Sequence, residues 1–381
     1  MNSEEIRSKF LNFFEKRGHV VVPSASLVPE NDPTVLFTTA GMQQFKPYYV
    51  GQADAKKDFN SLNLTSSQKC VRTSDIEEVG DESHLTFFEM LGNFSFGGYW
   101  KKEAIKYTHE FITRDMRLEI DYVSVFGGEG EMLEDRESAE IWKSIDPGIV
   151  VKKFGRKDNF WGPTGDEGPC GPTTEIYVDG IEVWNIVFNE YYQNKDKTLK
   201  SLEIKGVDTG MGLERLVKVI QKVPTVFETD LFVPIIEVAK SRIVADHIRT
   251  AVFMITDGVI PSNTDHGYIL RRLLRRAYIK NKDVNPVIDA VVNHSSYQEL
   301  YTFALNIKEV IAQELEKFGK TLDLGLKQIK KGADPFILFT TYGLPLEIIK
   351  EVTTVDKAKF ERQMEAHQRL SSTAGEQKFK K

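Results

Sequence analysis

Residues 86–97 read Thr-Phe-Phe-Glu-Met-Leu-Gly-Asn-Phe-Ser-Phe-Gly, an aromatic run that predicts a strand. The run Cys70-Val71-Arg72 precedes it, with a polar, charged segment over residues 73–83 between the two. This order predicts a hairpin with a long polar loop. Successive side chains of a strand point to opposite faces, so only one of Phe87 and Phe88 faces a given side. We expect most of the four phenylalanines to lie in the core.

Two features of this hairpin suit ligand binding. Arg72 presents a planar guanidinium, which matches the geometry of a phosphate. An aromatic side chain on the return strand can stack on a base. The alternative is that the hairpin is purely structural, and its residues alone leave both interpretations open.

The rest of the chain predicts an α+β fold with a mainly antiparallel sheet. Runs of β-branched and aromatic residues predict strands at 20–22, 34–38, 85–90, 122–126, 174–178 and 183–188. Helical spacing predicts helices from an N-cap at Ser3 to a stop at Gly18, and at 101–114, 210–221, 241–257, 267–281, 298–328 and 355–370. We place a catalytic domain at 1–237, a helical domain at 238–370 and a polar tail at 371–381.

Composition excludes several classes of protein. The 381 residues contain two cysteines, too few for a disulfide scaffold and typical of a reducing compartment. No apolar run approaches the roughly 20 residues that span a bilayer, and the N-terminus lacks a secretory signal. We therefore expect a cytoplasmic protein without a membrane partner.

The net charge of −6 conceals a difference between the two halves. Residues 1–240 contain 28 basic and 39 acidic side chains, a net charge of −11, whereas residues 241–381 contain 22 and 17, a net charge of +5. Arg271, Arg272, Arg275 and Arg276 lie beside an apolar stripe of one predicted helix. Together with Arg249, Lys280 and Lys282 they form the densest basic cluster of the chain. Four arginines suit a nucleic-acid backbone, although a charge run is more often a solvated face.

Two glycine-rich motifs suggest close approach of the backbone to a ligand. Residues 207–215 read Val-Asp-Thr-Gly-Met-Gly-Leu-Glu-Arg, which we interpret as a tight turn entering a helix, with Arg215 near the positive helix N-terminus. Residues 159–175 contain four glycines and three prolines and predict an irregular ordered loop. In that loop we expect Cys170 to be a buried apolar thiol. The chain has no P-loop or Rossmann fingerprint.

Taken in order, these patterns resemble the alanyl-tRNA synthetases, a family of class II aminoacyl-tRNA synthetases. The runs 86–97 and 207–215 are the most specific part of the likeness, which extends from Ile6 to about residue 345. The other matching runs are 26–29, 31–34, 39–42, 70–72, 158–161, 168–172, 184–188 and 245–276.

The resemblance implies a ligase that uses ATP, with Mg²⁺ bridging its phosphates, to convert L-alanine to alanyl-adenylate and to charge tRNA(Ala). It implies catalytic roles for Arg72, Asp208 and Arg215. The implied ATP-binding residues are Arg72, Phe88, Glu89 and Arg215. The implied alanine-binding residues are Met42, Trp161, Asn185, Val187, Asp208 and Gly210. The implied tRNA-binding residues are Asn263, Arg271, Arg272, Arg275 and Arg276.

The chain also departs from the family pattern. Thr340 replaces an aspartate that the family uses to read the acceptor-stem G·U pair, whereas Asn263 matches the other reader. The seven histidines form no HxxxH pair, so we expect no zinc, no other resident metal and no editing site. Since the family's C-terminal oligomerisation domain has no counterpart here, we expect a monomer. The chain is either part of a longer protein or a minimal enzyme.

Two rival functions remain at this point. One is an adenylate-forming paralogue that loads a carrier other than tRNA. The other is a tRNA-binding relic without catalytic activity, against which the presence of Arg72, Asp208 and Arg215 argues.

Overall fold

The computed structural model describes residues 1–366 apart from 31, 33, 131, 343 and 345, and apart from the side chains of 347 and 351. Within these residues, nine strands form one mixed sheet. The strands are β1 (Val20–Val21), β2 (Asn63–Val71), β3 (Phe87–Phe96), β4 (Tyr122–Phe126), β5 (Val151–Phe154), β6 (Phe160–Trp161), β7 (Gly168–Val178), β8 (Ile181–Gln193) and β9 (Leu199–Gly212).

The order of the strands confirms the α+β class. It is β1-β2-β3-β9-β8-β7-β4-β5, with β6 paired to β7. The pairs β1/β2 and β4/β5 are parallel, and the other neighbours are antiparallel. The predicted hairpin is present as β2 and β3, with Cys70 opposite Phe88.

Helices surround the sheet and continue beyond it. The α-helices are α1 (Ser3–Glu15), α2 (Lys46–Tyr49), α3 (Ala55–Phe59), α4 (Lys101–Glu110), α5 (Arg136–Ile145), α6 (Arg156–Asn159), α7 (Leu213–Gln221), α8 (Val233–Ala239), α9 (Arg242–Thr256), α10 (Asp265–Lys280), α11 (Asn285–Val292), α12 (Ala304–Ile329), α13 (Pro335–Thr340) and α14 (Leu346–Val352). Shorter 3₁₀ segments include Gly41–Phe45, Thr73–Glu77, Val226–Glu228 and Ser295–Phe303, and a π-helical turn follows α4 at Phe111–Asp115.

One continuous apolar core joins the sheet to the helices after it. Phe10 of α1 packs its ring 5.6 Å from that of Trp184. Phe87 of β3 stacks on Phe253 of α9, with 4.0 Å between ring centroids. Phe87, Phe94 and Phe96 are buried, as expected for most of the four phenylalanines. The boundary at 237/238 stays a prediction.

Several local predictions are wrong. Residues 34–38 form turns instead of a strand, and residues 31 and 33 beside them lie outside the described part. Residues 168–172 begin β7, and Gly210 to Gly212 end β9, so the glycines lie in strands and α7 starts only at Leu213. Asn2, not Ser3, caps α1 through a capping box with Glu5. The predicted polar tail lies outside the described residues.

The N-terminal correction has a simple physical reason. Asn2 accepts a hydrogen bond from the backbone of Glu5, and the Glu5 carboxylate accepts one from the Asn2 backbone N–H. Ser3 is fully buried, and its hydroxyl donates to the Asp230 carboxylate over 3.0 Å. Ser3 therefore makes a tertiary contact instead of capping the helix.

Gly171 tests the packing of β7 on β8. A β-carbon at this position would collide with the carbonyl oxygen of Phe188, a backbone atom that cannot move aside cheaply. We expect Gly171→Ala to lower the free energy of unfolding in urea by about 1–3 kcal/mol. Gly148→Ala is the control, because its nearest neighbour is a side-chain oxygen 3.3 Å away. Equal stability of the two variants would contradict this packing.

Candidate active site

A cavity of about 220 Å³ lies over three adjacent central strands. Its base is formed by alternate residues of β3, β9 and β8, which point to the same face of the pleated sheet. In this register Val187 lies opposite Asp208, Asn185 opposite Gly210, and Met90 opposite Gly212. The lining residues are Ala40, Arg72, Asp75, Ser83, His84, Leu85, Phe88, Met90, Trp161, Glu182, Val183, Asn185, Val187, Asp208, Gly210, Gly212, Glu214 and Arg215.

Eight of the implied site residues therefore converge on one cavity, although they come from distant parts of the sequence. They are Arg72, Phe88, Trp161, Asn185, Val187, Asp208, Gly210 and Arg215. The antiparallel ladder brings them together, because β3 lies between β2 and β9 and places the two specific sequence motifs side by side.

Arg72 and Phe88 form one wall of the cavity. The Arg72 guanidinium carbon lies 5.0 Å from the centroid of the Phe88 ring, a cation–π distance. The Arg72 Nε donates a long hydrogen bond of 3.4 Å to the carbonyl of Thr39. Within the described residues, Arg72 has no acidic partner. Its positive charge is available to an anion, as phosphate binding requires.

Asp208 supplies the opposite charge on the base of the cavity. Only 5% of the residue is exposed, and among the described residues it has no ion pair or hydrogen-bonded side-chain partner. Burial raises the pKa of its carboxyl group to about 8. A cation that entered the cavity would favour the ionised form and relieve this penalty, so the site suits a ligand ammonium.

Arg215 lies in the first turn of α7 and, unlike Arg72, has an ion-pair partner. Its Nη1 contacts the Glu182 carboxylate at 3.0 Å and the Glu182 carbonyl oxygen at 3.4 Å. Both side chains are about one third exposed. The ion pair aligns Arg215 beside the cavity while leaving part of its guanidinium in contact with solvent.

The remaining base of the cavity is small and mixed in polarity. Asn185 Nδ2 lies 3.4 Å from the Glu175 carboxylate, and its Oδ1 is buried without a hydrogen-bond partner. A β-carbon at Gly210 would lie 2.8 Å from Met90 Sδ, so the glycine preserves space at this point. Burial raises the pKa of Glu175 to about 7, and the neighbouring charge of Glu182 adds to the effect.

Two implied site residues are not part of the cavity lining. Met42 is fully buried in a second apolar cluster with Phe45 and Phe94, because the Gly41–Phe45 turn directs it into the core. Glu89 follows Phe88 and therefore points to the other face of β3, where Arg7 binds it with two hydrogen bonds of 2.7 and 2.8 Å. Neither side chain lines the cavity in this structure, and a binding role for Met42 or Glu89 stays a prediction.

Sequence reasoning missed several lining residues, chiefly Glu182, Glu214, Asp75 and His84. The parity of β3 was available from the sequence, and it indicates Met90 once Phe88 is chosen. The position of Gly212 was not, because residues 207–215 predict a turn, whereas Gly212 ends a strand. Glu182 and Glu214 carried no such signal, because their position depends on ion pairs with Arg215 and Arg249.

The arginine cluster of α10 is less free than its sequence suggests. Arg271 and Arg275 share Glu314 at 3.0 and 2.9 Å. Arg272 and Arg276 contact Glu77 of the 3₁₀ segment that follows β2, Arg276 at 2.7 Å. Asn263 accepts a hydrogen bond from Arg271. Intramolecular acids thus partly neutralise the cluster, and Arg249, counted with it from the sequence, is fully buried.

Within the described residues, neither the cysteines nor the other potential metal ligands form a further candidate site. Cys70 and Cys170 are both buried, as expected for Cys170, and burial raises the pKa of the Cys170 thiol to about 11. Among the residues that the structure describes, no group of three or more histidine, cysteine or acidic side chains could hold a metal ion. In the same residues, no helix is long and apolar enough to cross a membrane.

Comparison with known proteins gives the family. The family model "tRNA synthetases class II (A)" matches residues 5–381. Alanine–tRNA ligase of Borrelia hermsii is 39% identical over 446 aligned positions, which cover all of this chain and 74% of that protein. The chain belongs to the alanyl-tRNA synthetase family. Its sheet and flanking helices are the class II synthetase fold that the sequence indicated.

Other relatives of this synthetase family are longer. Alanine–tRNA ligase of Dehalococcoides mccartyi strain BAV1 is 40% identical over 428 aligned positions, covering 96% of this chain and 48% of that protein. The chain thus spans about half the length of these relatives. Pyrrolysyl-tRNA synthetase from Desulfitobacterium hafniense matches structurally with a TM-score of 0.37 and 12% identity, over 60% of this chain and 72% of that one.

The raised pKa of Asp208 predicts a pH dependence of stability. Because its pKa is about 8 in the folded chain and near 3.8 when unfolded, the folded state holds this proton more tightly. The protonated Asp208 imposes no penalty on the free energy of unfolding below pH 3.8. That free energy then falls as the pH rises to about 8, because the unfolded chain ionises this group more readily than the folded chain. We expect Asp208→Asn, relative to the unaltered chain, to become increasingly stable over that window in urea titrations. Exposed Asp166→Asn is the control, and a flat difference for Asp208→Asn would contradict its burial as a free carboxyl.

Proposed function

We propose that this chain activates L-alanine with ATP and transfers the alanyl group to the 3′ end of tRNA(Ala). The observation that carries the proposal is a pair of groups without an ionic partner in one cavity, the Asp208 carboxyl on its base, which a bound cation would ionise, and the Arg72 guanidinium on its wall. An amino acid and a nucleotide triphosphate present the matching charges, an ammonium and phosphates. The family membership supports the same reaction.

In this proposal ATP lies against the wall formed by Arg72 and Phe88. Phe88 stacks on the adenine, and Arg72 binds the α-phosphate with a planar fork of donors. Arg215 completes the nucleotide site from the opposite side, near the start of α7. Glu182 keeps the Arg215 guanidinium in place before ATP arrives. Glu89 contributes from the other face of β3 by fixing that strand through Arg7.

Alanine occupies the base of the cavity. Its ammonium pairs with Asp208 and approaches the unpartnered Oδ1 of Asn185. Val187 and Trp161 surround the methyl group, and Gly210 leaves room for the backbone of the substrate. Met42 supports this wall from the core behind it. A pocket of this kind excludes large side chains by collision but discriminates only weakly against glycine and serine.

The chemical step needs positioning more than a proton donor. One carboxylate oxygen of alanine forms a bond to the α-phosphorus, and the bond to pyrophosphate breaks. Arg72 neutralises the negative charge that develops on the α-phosphate oxygens. A hydroxyl of the terminal tRNA adenosine then bonds to the alanyl carbonyl carbon, and AMP leaves.

Mg²⁺ is proposed to enter with ATP and to neutralise charge on its phosphates. Asp75 and Glu182 line the cavity with partly exposed carboxylates, which are ligands that Mg²⁺ prefers. Absence of zinc, a monomeric state and a cytoplasmic location remain predictions from the sequence.

The helical segment from residue 238 is proposed to bind the tRNA acceptor arm. Asn263 lies just before α10, within reach of Arg271, and α10 presents Arg271, Arg272 and Arg275 as partly exposed side chains. Arg276 is mostly buried and acts through its ion pair with Glu77. The retention of this surface favours tRNA over another carrier, the rival that the sequence left open.

Arg72 and Asp208 provide the direct test of adenylate formation. We expect Arg72→Ala and Asp208→Asn each to reduce alanine-dependent ATP–pyrophosphate exchange by at least about 100-fold, because each removes an unshared charge from the site. Arg114→Ala is the matched control, since Arg114 is exposed and distant from the cavity lining. Normal exchange by either cavity variant, with circular dichroism unchanged, would refute the assignment.

Thr340 tests recognition of the acceptor stem. Its hydroxyl donates to the carbonyl of Phe336 in its own helix, so it is satisfied without a nucleic acid. We expect the unaltered chain to charge tRNA(Ala) and a variant in which the G·U pair is replaced by G·C at rates within about threefold. Thr340→Asp should increase the preference for G·U, whereas Thr302→Asp should not. A strong G·U preference without the aspartate would contradict this expectation.

A further inference from the structure

Arg249 is a fully buried charge that the proposed reaction does not use directly. It lies on α9, and its Nη1 donates to the carbonyl oxygen of Phe87 over 3.0 Å. Its Nη2 contacts the Glu214 carboxylate and the Tyr297 hydroxyl, each at 2.6 Å. The guanidinium carbon also lies 4.7 Å from the centroid of the Phe87 ring. One side chain from the helical segment thus binds two elements of the sheet domain.

The burial of the Arg249 cation indicates that its partners require a charged, hydrogen-bonding side chain at this position. Desolvating a charge costs several kcal/mol unless an opposite charge and hydrogen bonds compensate. Here Glu214 supplies the charge, while Phe87 and Tyr297 supply further acceptors. An apolar side chain would fill the same space without that cost. The geometry that Arg249 imposes on its partners is therefore the feature that an apolar residue could not replace.

The partners of Arg249 are the immediate neighbours of the nucleotide residues. Phe87 precedes Phe88, and Glu214 precedes Arg215, so each bond fixes the backbone next to one wall of the cavity. Glu214 itself lines the cavity. Its carboxylate also accepts hydrogen bonds of 3.2 and 3.3 Å from the backbone N–H of Glu89. A single ion pair thus connects β3 to the first turn of α7.

We propose that Arg249, with Tyr297, is a positioning residue that sets the separation of Phe88 and Arg215 and thereby the affinity for ATP. The inference rests on the proposed function, since it assumes that adenine lies between these two walls. Arg249 does not line the cavity, so it acts through Glu214 and the backbone of Phe87. Alanine, bound by Asp208 on β9, is largely independent of it.

Two conservative variants test the proposal. Arg249→Lys retains the charge but loses the fork that reaches three partners, and Tyr297→Phe removes one hydroxyl only. We expect the KM for ATP in pyrophosphate exchange to rise roughly 10-fold and threefold respectively, with the KM for alanine changed less than twofold. The dissociation constant of ATP, measured by calorimetry without alanine, should rise in parallel.

A matched control separates positioning from stability. Lys101→Met removes a buried ion pair of similar length, 2.6 Å to Asp135, which contacts no residue of the nucleotide walls. It should lower the melting temperature but leave the ATP constants unchanged. Unchanged ATP constants in both Arg249→Lys and Tyr297→Phe, or an equal change in Lys101→Met, would overturn the inference. Absence of alanine-dependent exchange in the unaltered chain would instead overturn the proposed function, and the calorimetric ATP constants would still decide the role of Arg249.

Discussion

The site depends on a carboxylate held within the centre of a sheet without a partner. Asp208 is fixed on both sides, by Phe94 of β3 and by Val187 of β8 in the strand ladder. The ladder prevents it from turning toward water, and burial raises its pKa to about 8. In the empty protein a proton neutralises this carboxyl group below about pH 8, and a bound ammonium would replace that proton as the source of compensation. Such a group selects an ammonium more effectively than an exposed carboxylate that water already solvates.

The three arginines near the cavity differ in how completely an acidic side chain pairs with them. Arg72 has no acidic partner among the described residues, Arg215 shares a partly exposed pair with Glu182, and Arg249 is buried with Glu214. The pairing of these arginines with carboxylates thus becomes more complete from the proposed substrate position toward the core. The free charges suit binding, whereas the compensated ones hold the walls. Because Arg249 comes from α9, this support also extends to the helices that follow the sheet.

Much of this was predictable from local sequence. The hairpin and the burial of most of its phenylalanines followed from the residue pattern, whereas the eight lining residues followed from the resemblance to the family. The interpretation of the glycine-rich runs is correct only in part. Gly162 and Gly165 lie in an irregular segment, as predicted, whereas Gly168, Gly171, Gly210 and Gly212 lie in strands. Gly171 is required there by the closeness of the Phe188 backbone, a long-range contact that no local pattern encodes. Glu89 and Met42 do not line the cavity, since strand parity and core packing direct these side chains away from it. The helical basic cluster was correctly found, but its pairing with Glu77 and Glu314 requires the tertiary structure.

The amino-acid dependence of ATP–pyrophosphate exchange shows whether the Asp208 cavity selects alanine. A small cavity with an unpartnered carboxylate at its base should support exchange with alanine, weaker exchange with glycine and serine, and none with leucine or phenylalanine. That order would follow from the burial of Asp208 beside Val187 and Trp161. Exchange that does not depend on alanine, or that proceeds equally well with phenylalanine, would contradict the account.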